Sequence, residues 1–140
     1  MTTHTAPPQP EHDRLRLVDL PHHAGACGLA RDWARRVMRE WGTGPEDTED
    51  VLLVMSELVT NSLRHARGPL RAQLGNWEGV IHVRIDDGGP AAQPTTASGP
   101  DDEEGRGLVI VAHLAARHGT GTASSPYRAH AWATLAPHAY

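Results

Sequence analysis

Pro45-Glu46-Asp47-Thr48-Glu49-Asp50-Val51-Leu52-Leu53-Val54-Met55-Ser56-Glu57-Leu58-Val59-Thr60-Asn61-Ser62-Leu63-Arg64-His65-Ala66 is the stretch on which the fold turns. Its opening proline and acids suit the first turn of a helix, and Gly68-Pro69 stops the run. At about 100° per residue, with Glu57 set to zero, Asn61 falls at ~40° and Arg64 at ~−20°. Val51, Leu52, Met55, Leu58, Val59 and Ser62 fill the arc from roughly 100° to 220° on the same count. One face is therefore apolar, and another stacks a carboxylate, an amide and a guanidinium. Leu53 and Val54 fall near that polar stripe, which predicts that it lines a cleft.

A Glu and an Asn one turn apart read most simply as a solvated surface pair. A chemical reading gives each a task. The Asn61 side-chain oxygen suits Mg²⁺, which takes few protein ligands and completes its octahedron with phosphates and water. Glu57 would accept a proton from an attacking hydroxyl or water. Phosphate-binding segments elsewhere in the chain decide between the two.

Two glycine-bearing segments answer that description. Val83-Arg84-Ile85-Asp86-Asp87-Gly88-Gly89-Pro90 is a strand entering an acidic turn. A buried carboxylate there accepts hydrogen bonds from an exocyclic amino group such as that of adenine, and glycines admit a base to the backbone. Asp-Gly is also an ordinary turn pair. Gly105-Arg106-Gly107-Leu108 precedes an apolar run, and free N–H groups at a helix start bind anions.

The rest of the chain supplies a frame. Residues 1–12 carry Pro7, Pro8 and Pro10 among polar residues and predict a disordered tail; residues 13–140 predict a single domain. Arg14 to Val18 alternates as a short strand. Residues 23–41 carry Leu29, Trp33, Val37 and Trp41 at intervals of four, a helix ended by Gly42 and Gly44. Leu70–Asn76 and Val80–Asp86 predict strands, residues 88–107 a loop, Leu108–Arg117 a helix, Gly119–Pro126 a loop and Tyr127–Leu135 a last strand. The order β-α-α-β-β-α-β predicts an α+β fold with helices on one face of a mainly antiparallel sheet.

Composition excludes several classes. The 140-residue chain has a formal charge of −4, which argues against nucleic acid as the main partner. All 13 basic residues are arginine. Without lysine there is no Walker-type phosphate loop, no strand lysine of eukaryotic-type kinases and no Schiff-base chemistry. No run reaches the ~20 apolar residues of a membrane span, and the amino terminus lacks the pattern of a secretion signal. A single cysteine, Cys27, excludes an internal disulfide and a Cys-based metal cage, and fits a reducing cytoplasm. Cys27 reads as a packing residue, and Trp33 and Trp41 as core or interface. The ten histidines have no metal-ligand spacing, and no Gly-x-Ser-x-Gly elbow is present.

Together, Ser56-Glu57-Leu58-Val59-Thr60-Asn61-Ser62-Leu63-Arg64-His65-Ala66, Asp87-Gly88-Gly89 and Gly105-Arg106-Gly107-Leu108 resemble the N box and the two glycine boxes of the histidine-kinase-like (GHKL) ATPase superfamily. Within it, the chain resembles the small anti-sigma-factor serine/threonine kinases, over about residues 14–136. The resemblance implies a two-layer α/β sandwich of the Bergerat type, with a mixed, mainly antiparallel sheet, that binds ATP and Mg²⁺. It implies Asn61 as the metal-binding residue and Glu57 as the catalytic base. It implies an adenine-contacting Asp, for which the phase Val83-x-Ile85-x-Asp87 and the spacing to Gly89 favour Asp87 over Asp86. Gly105 and Gly107 match the loop that closes over the phosphates. The implied partners are an anti-anti-sigma protein, as phosphate acceptor, and a sigma factor; a homodimer is compatible. The pattern departs from the family at Ala91, where a glycine is expected, and in the acidic run Asp101-Asp102-Glu103-Glu104. These departures leave a second reading open: a module that binds nucleotide or a protein partner and catalyses little.

Overall fold

The computed structural model describes residues 14–90 and 103–138. The predicted tail at residues 1–12, Ala91 and the loop between the glycine segments up to Asp102 lie outside the described residues. The elements are β1 (Leu15–Leu20), α1 (Ala26–Glu40), α2 (Pro45–His65), β2 (Leu70–Trp77), β3 (Val80–Asp87), α3 (Glu103–Leu114), β4 (Arg117–Thr122) and β5 (Ala129–Leu135). The strands form one sheet in the order β1-β2-β3-β5-β4, and all four pairings are antiparallel. The fold is the expected α+β sandwich, with the helical layer packed on one face of an open sheet of five described strands, though that sheet is wholly antiparallel where the resemblance implies a mixed one.

α2 forms as its pattern predicts. Gly44 stands at its N-cap in an extended conformation, Pro45 occupies the first turn with Glu46 and Asp47, and Arg64 and His65 close the last turn. These charges complement the helix dipole at each end. Val51, Leu52, Met55, Leu58, Val59 and Ser62 are buried as expected, and Val54 joins them, while Leu53 is exposed.

α1 corrects a detail of the reading. Its buried face is Ala26, Ala30, Trp33, Ala34, Val37 and Met38, and Leu29 is 51% exposed. Three of these six are alanines, and the helix packs against α2 and β1. Leu29 lies roughly 100° round the helix from the centre of that face. Trp33 is in the core and Trp41 packs against it, in keeping with the structural role expected of both.

The region after α3 differs most. Where Gly119–Pro126 predicts only loop, residues 117–122 form β4, an edge strand paired along β5. The segment Arg117-His118-Gly119-Thr120-Gly121-Thr122 has no apolar alternation because it packs little core. Two of its positions are glycines over which β5 rings lie: a Cβ on Gly119 would stand 3.0 Å from the Trp132 indole, and one on Gly121 2.6 Å from the His130 ring. α3 also begins five residues earlier than Leu108, the expected start, and ends at Leu114 rather than Arg117. Among its described side chains, Val111 enters the common core and Leu114 packs against it.

Candidate nucleotide site

β3 sorts its side chains by alternation. Ile81, Val83 and Ile85 enter the core beneath the helices, and Asp87 continues the same phase at the strand's end. Asp87 is buried, and its carboxylate receives two donors. Ser62 Oγ of α2 donates to Oδ2 at 2.6 Å, and the Gly89 N–H donates to Oδ1 at 2.9 Å. The Asp87 carbonyl accepts from the Arg128 N–H at 2.8 Å, and the Gly89 carbonyl from the Arg67 N–H at 3.0 Å. The turn after β3 is thus clipped from both sides, by the segment after α2 and by the segment entering β5.

The glycines serve this clip. Gly89 has φ +85°, a left-handed conformation that favours glycine. A Cβ on Gly88 would collide with the Arg67 carbonyl oxygen. The close backbone approach at Gly88 is therefore to Arg67.

Asp86 points to the opposite face and is fully engaged there. Arg71 Nη2 lies 2.9 Å from its Oδ2 and Arg84 Nε 2.8 Å from its Oδ1. Arg71 also stacks over Tyr127, 4.5 Å from the ring centroid. A cavity of about 310 Å³ opens on this same outer face, lined by Trp77, His82, Arg84 and Trp132 among others. None of the expected site residues borders it.

Glu57 and Asn61 lie one turn apart on α2 and are half-buried. Asn61 directly precedes Ser62, so the Ser62–Asp87 bond brings the polar edge of α2 to the end of β3. Gly105 and Gly107 are the third and fifth residues of α3, which packs against α2. An α-helix leaves its first four N–H groups without intrahelical partners. Gly105 falls within that set, whereas Gly107 lies in the hydrogen-bonded body of the helix.

The profile of the histidine kinase-like ATPase domain family matches residues 20–125. The chain belongs to this family. A curated relative is the sensor protein kinase CarS of Pseudomonas aeruginosa, 28% identical over 86 residues. Those residues are 59% of this chain, and the match spans 16% of that relative's length. In this histidine kinase-like ATPase domain the matched region runs from the end of β1 past β4, and so contains α2, the turn after β3 and α3. No helix among the described residues is long and apolar enough to cross a membrane.

The residues present fit an ATP·Mg²⁺ ligand in kind. Asp87 presents a buried acceptor, while Glu57 and Asn61 supply half-buried oxygens on the adjoining helix edge. Hard oxygen donors are what Mg²⁺ selects. Ser62 and the backbone clips from Arg67 and Arg128 were not identified from the sequence. The available signal was Ser62 itself, a hydroxyl on the apolar arc of α2, because a buried polar group requires a partner.

Proposed function

We propose that this domain is an ATP- and Mg²⁺-dependent serine/threonine kinase of the anti-sigma type, acting on an anti-anti-sigma protein. The observation that supports the reading is the junction of α2 with β3, where Ser62, next to Asn61 in sequence, bonds the buried Asp87 carboxylate. Asp87 accepts a hydrogen bond from the adenine amino group. Asn61 holds Mg²⁺, which when bound neutralises phosphate charge. Glu57 takes the proton of the acceptor hydroxyl as its oxygen bonds to the γ-phosphorus and the bond to the β,γ-bridging oxygen breaks, releasing ADP. Phosphoryl transfer asks chiefly for positioning and charge neutralisation, which a domain of this size can supply. A sigma factor is the second protein partner on this reading, and the cytoplasm its compartment.

The test is transfer of labelled phosphate from ATP to candidate anti-anti-sigma proteins. Wild type labels a serine or threonine of the partner; Glu57→Ala binds ATP and labels nothing; Asn61→Ala loses Mg²⁺-dependent binding. Binding of ATP without labelling of any partner would leave a different reading standing, a nucleotide-binding module that acts by sequestration. The place of Gly107 inside α3 favours that second reading, since a helical glycine donates its N–H to the helix and not to phosphate.

A further inference from the structure

We propose that Ser62 is the positioning residue for base recognition: its hydroxyl holds the Asp87 carboxylate so that the site selects a purine with a 6-amino group. The inference rests on the ATP-binding reading and concerns a residue outside the set of expected ligands. Asp87 closes a strand, and among the described residues its own turn supplies one bond to the side chain, from the Gly89 N–H two residues on. That bond moves with the turn. The second bond comes from the helical layer, from Ser62 at 2.6 Å, and both residues are buried, at 5% and 9% exposure.

Among the described residues, each carboxylate oxygen thus has one donor. An ionised carboxylate offers about four lone-pair sites, so acceptor capacity remains for an incoming amino group. With both oxygens held from different layers, the carboxylate cannot swing about its side-chain torsions without breaking a buried bond. Ser62 also shares a helical turn with Asn61. One backbone segment therefore sets both the metal ligand and, through the hydroxyl, the carboxylate that reads the base. A serine that only satisfied a buried acid would stabilise the fold without regard to the ligand, and the two roles differ in what they predict.

The experiment compares affinities of the folded full chain, with Mg²⁺, for ATP and for purine riboside triphosphate, which lacks the 6-amino group. Wild type prefers ATP. Ser62→Ala weakens ATP binding by about tenfold, the scale of one hydrogen bond to a charged group, and changes binding of the analogue by less than about twofold. Ser62→Thr, which keeps the hydroxyl, restores ATP affinity to within about threefold of wild type. If Ser62→Ala does not fold, Ser62→Cys, with a weak donor in similar volume, carries the same comparison. Equal weakening of both nucleotides, or no weakening of ATP, overturns the positioning role while leaving ATP binding intact. Failure of wild type to bind either nucleotide overturns the ATP reading itself, and this inference with it.

Discussion

Asp86 and Asp87 are adjacent carboxylates with opposite surroundings, and they predict opposite phenotypes. Asp86 is wholly buried between Arg71 and Arg84, whose side chains are 30% and 34% exposed. Asp86→Asn removes the charge that both guanidinium groups face, and should cost about 3 kcal/mol of stability. Because the proposed site lies on the other face, the folded variant should keep its ATP affinity to within about twofold. Asp87→Asn keeps the shape but leaves the Ser62 hydroxyl or the Gly89 N–H with a poorer acceptor. It should weaken ATP binding by about tenfold to a hundredfold. Chemical denaturation with ATP titration separates the two; a larger loss of ATP affinity at Asp86 would reverse their roles. This pair was legible in the sequence because alternation is a property of the strand: Val83, Ile85 and Asp87 share a face whatever packs on it. Ser62 was less legible. The helical wheel placed it on the buried arc, but no local pattern connects position 62 to a carboxylate 25 residues on.

At the scale of elements, His138, three residues beyond β5, ties the segment after that strand to the start of α2. The His138 backbone N–H donates to Asp47 Oδ1 at 2.9 Å, and its ring Nδ1 meets the same oxygen. Its Nε2 lies 3.5 Å from Asp50 and 3.8 Å from Glu46. The hydrogen bond to Asp47 and the surrounding carboxylates raise the His138 pKa above its ordinary 6.5. A raised folded-state pKa means that protonated His138 contributes fully below pH 6.5 and that the contribution is lost as pH rises through the folded value. His82, on the outer face of the sheet beside Trp77, is shifted the other way, by burial. Its neutral form contributes above pH 6.5, and that stability is lost as pH falls through its lowered value. Melting temperature against pH should therefore differ from wild type chiefly on the acidic side for His138→Gln, with the difference closing under alkaline conditions. His82→Gln should flatten the acid limb. A His138→Gln deficit constant from acid to alkaline pH would show that the ion cluster plays no part. The turn after β3 makes a third element-scale prediction. Gly88→Ala drives a Cβ into the Arg67 carbonyl and should cost about 3 kcal/mol, read as a lower denaturation midpoint. The elements themselves were legible where a core face writes its period into the chain, as in α2, β2 and β3. β4 was not, since an edge strand that packs rings over glycines carries no apolar alternation.

For the whole molecule, the sandwich was legible because the order of periodic segments admits few packings, and the missing strand extended the sheet without changing its layers. The arrangement also states where ligand energy enters. The expected nucleotide contacts come from α2 and from the end of β3, two elements joined at their junction by the Ser62–Asp87 bond. A ligand that bridges them stabilises the native state as a unit, because unfolding separates both halves of the site. The linkage is about 2.7 kcal/mol at a ligand concentration one hundred times Kd. For a chain of this size each kcal/mol raises the melting temperature by about 3 °C, so saturating ATP·Mg²⁺ should raise it by about 8 °C. The variants divide this shift by role. Glu57→Ala, which removes a base but no ligand, should retain it nearly whole. Asn61→Ala should show the same small shift with Mg²⁺ as with chelator. Asp87→Asn should lose about half of it or more in both conditions. Melting curves of wild type and the three variants, with ATP and either Mg²⁺ or chelator, give all of these shifts. If Glu57→Ala loses the shift as fully as Asp87→Asn, then Glu57 holds the ligand, and its assignment as the proton acceptor fails.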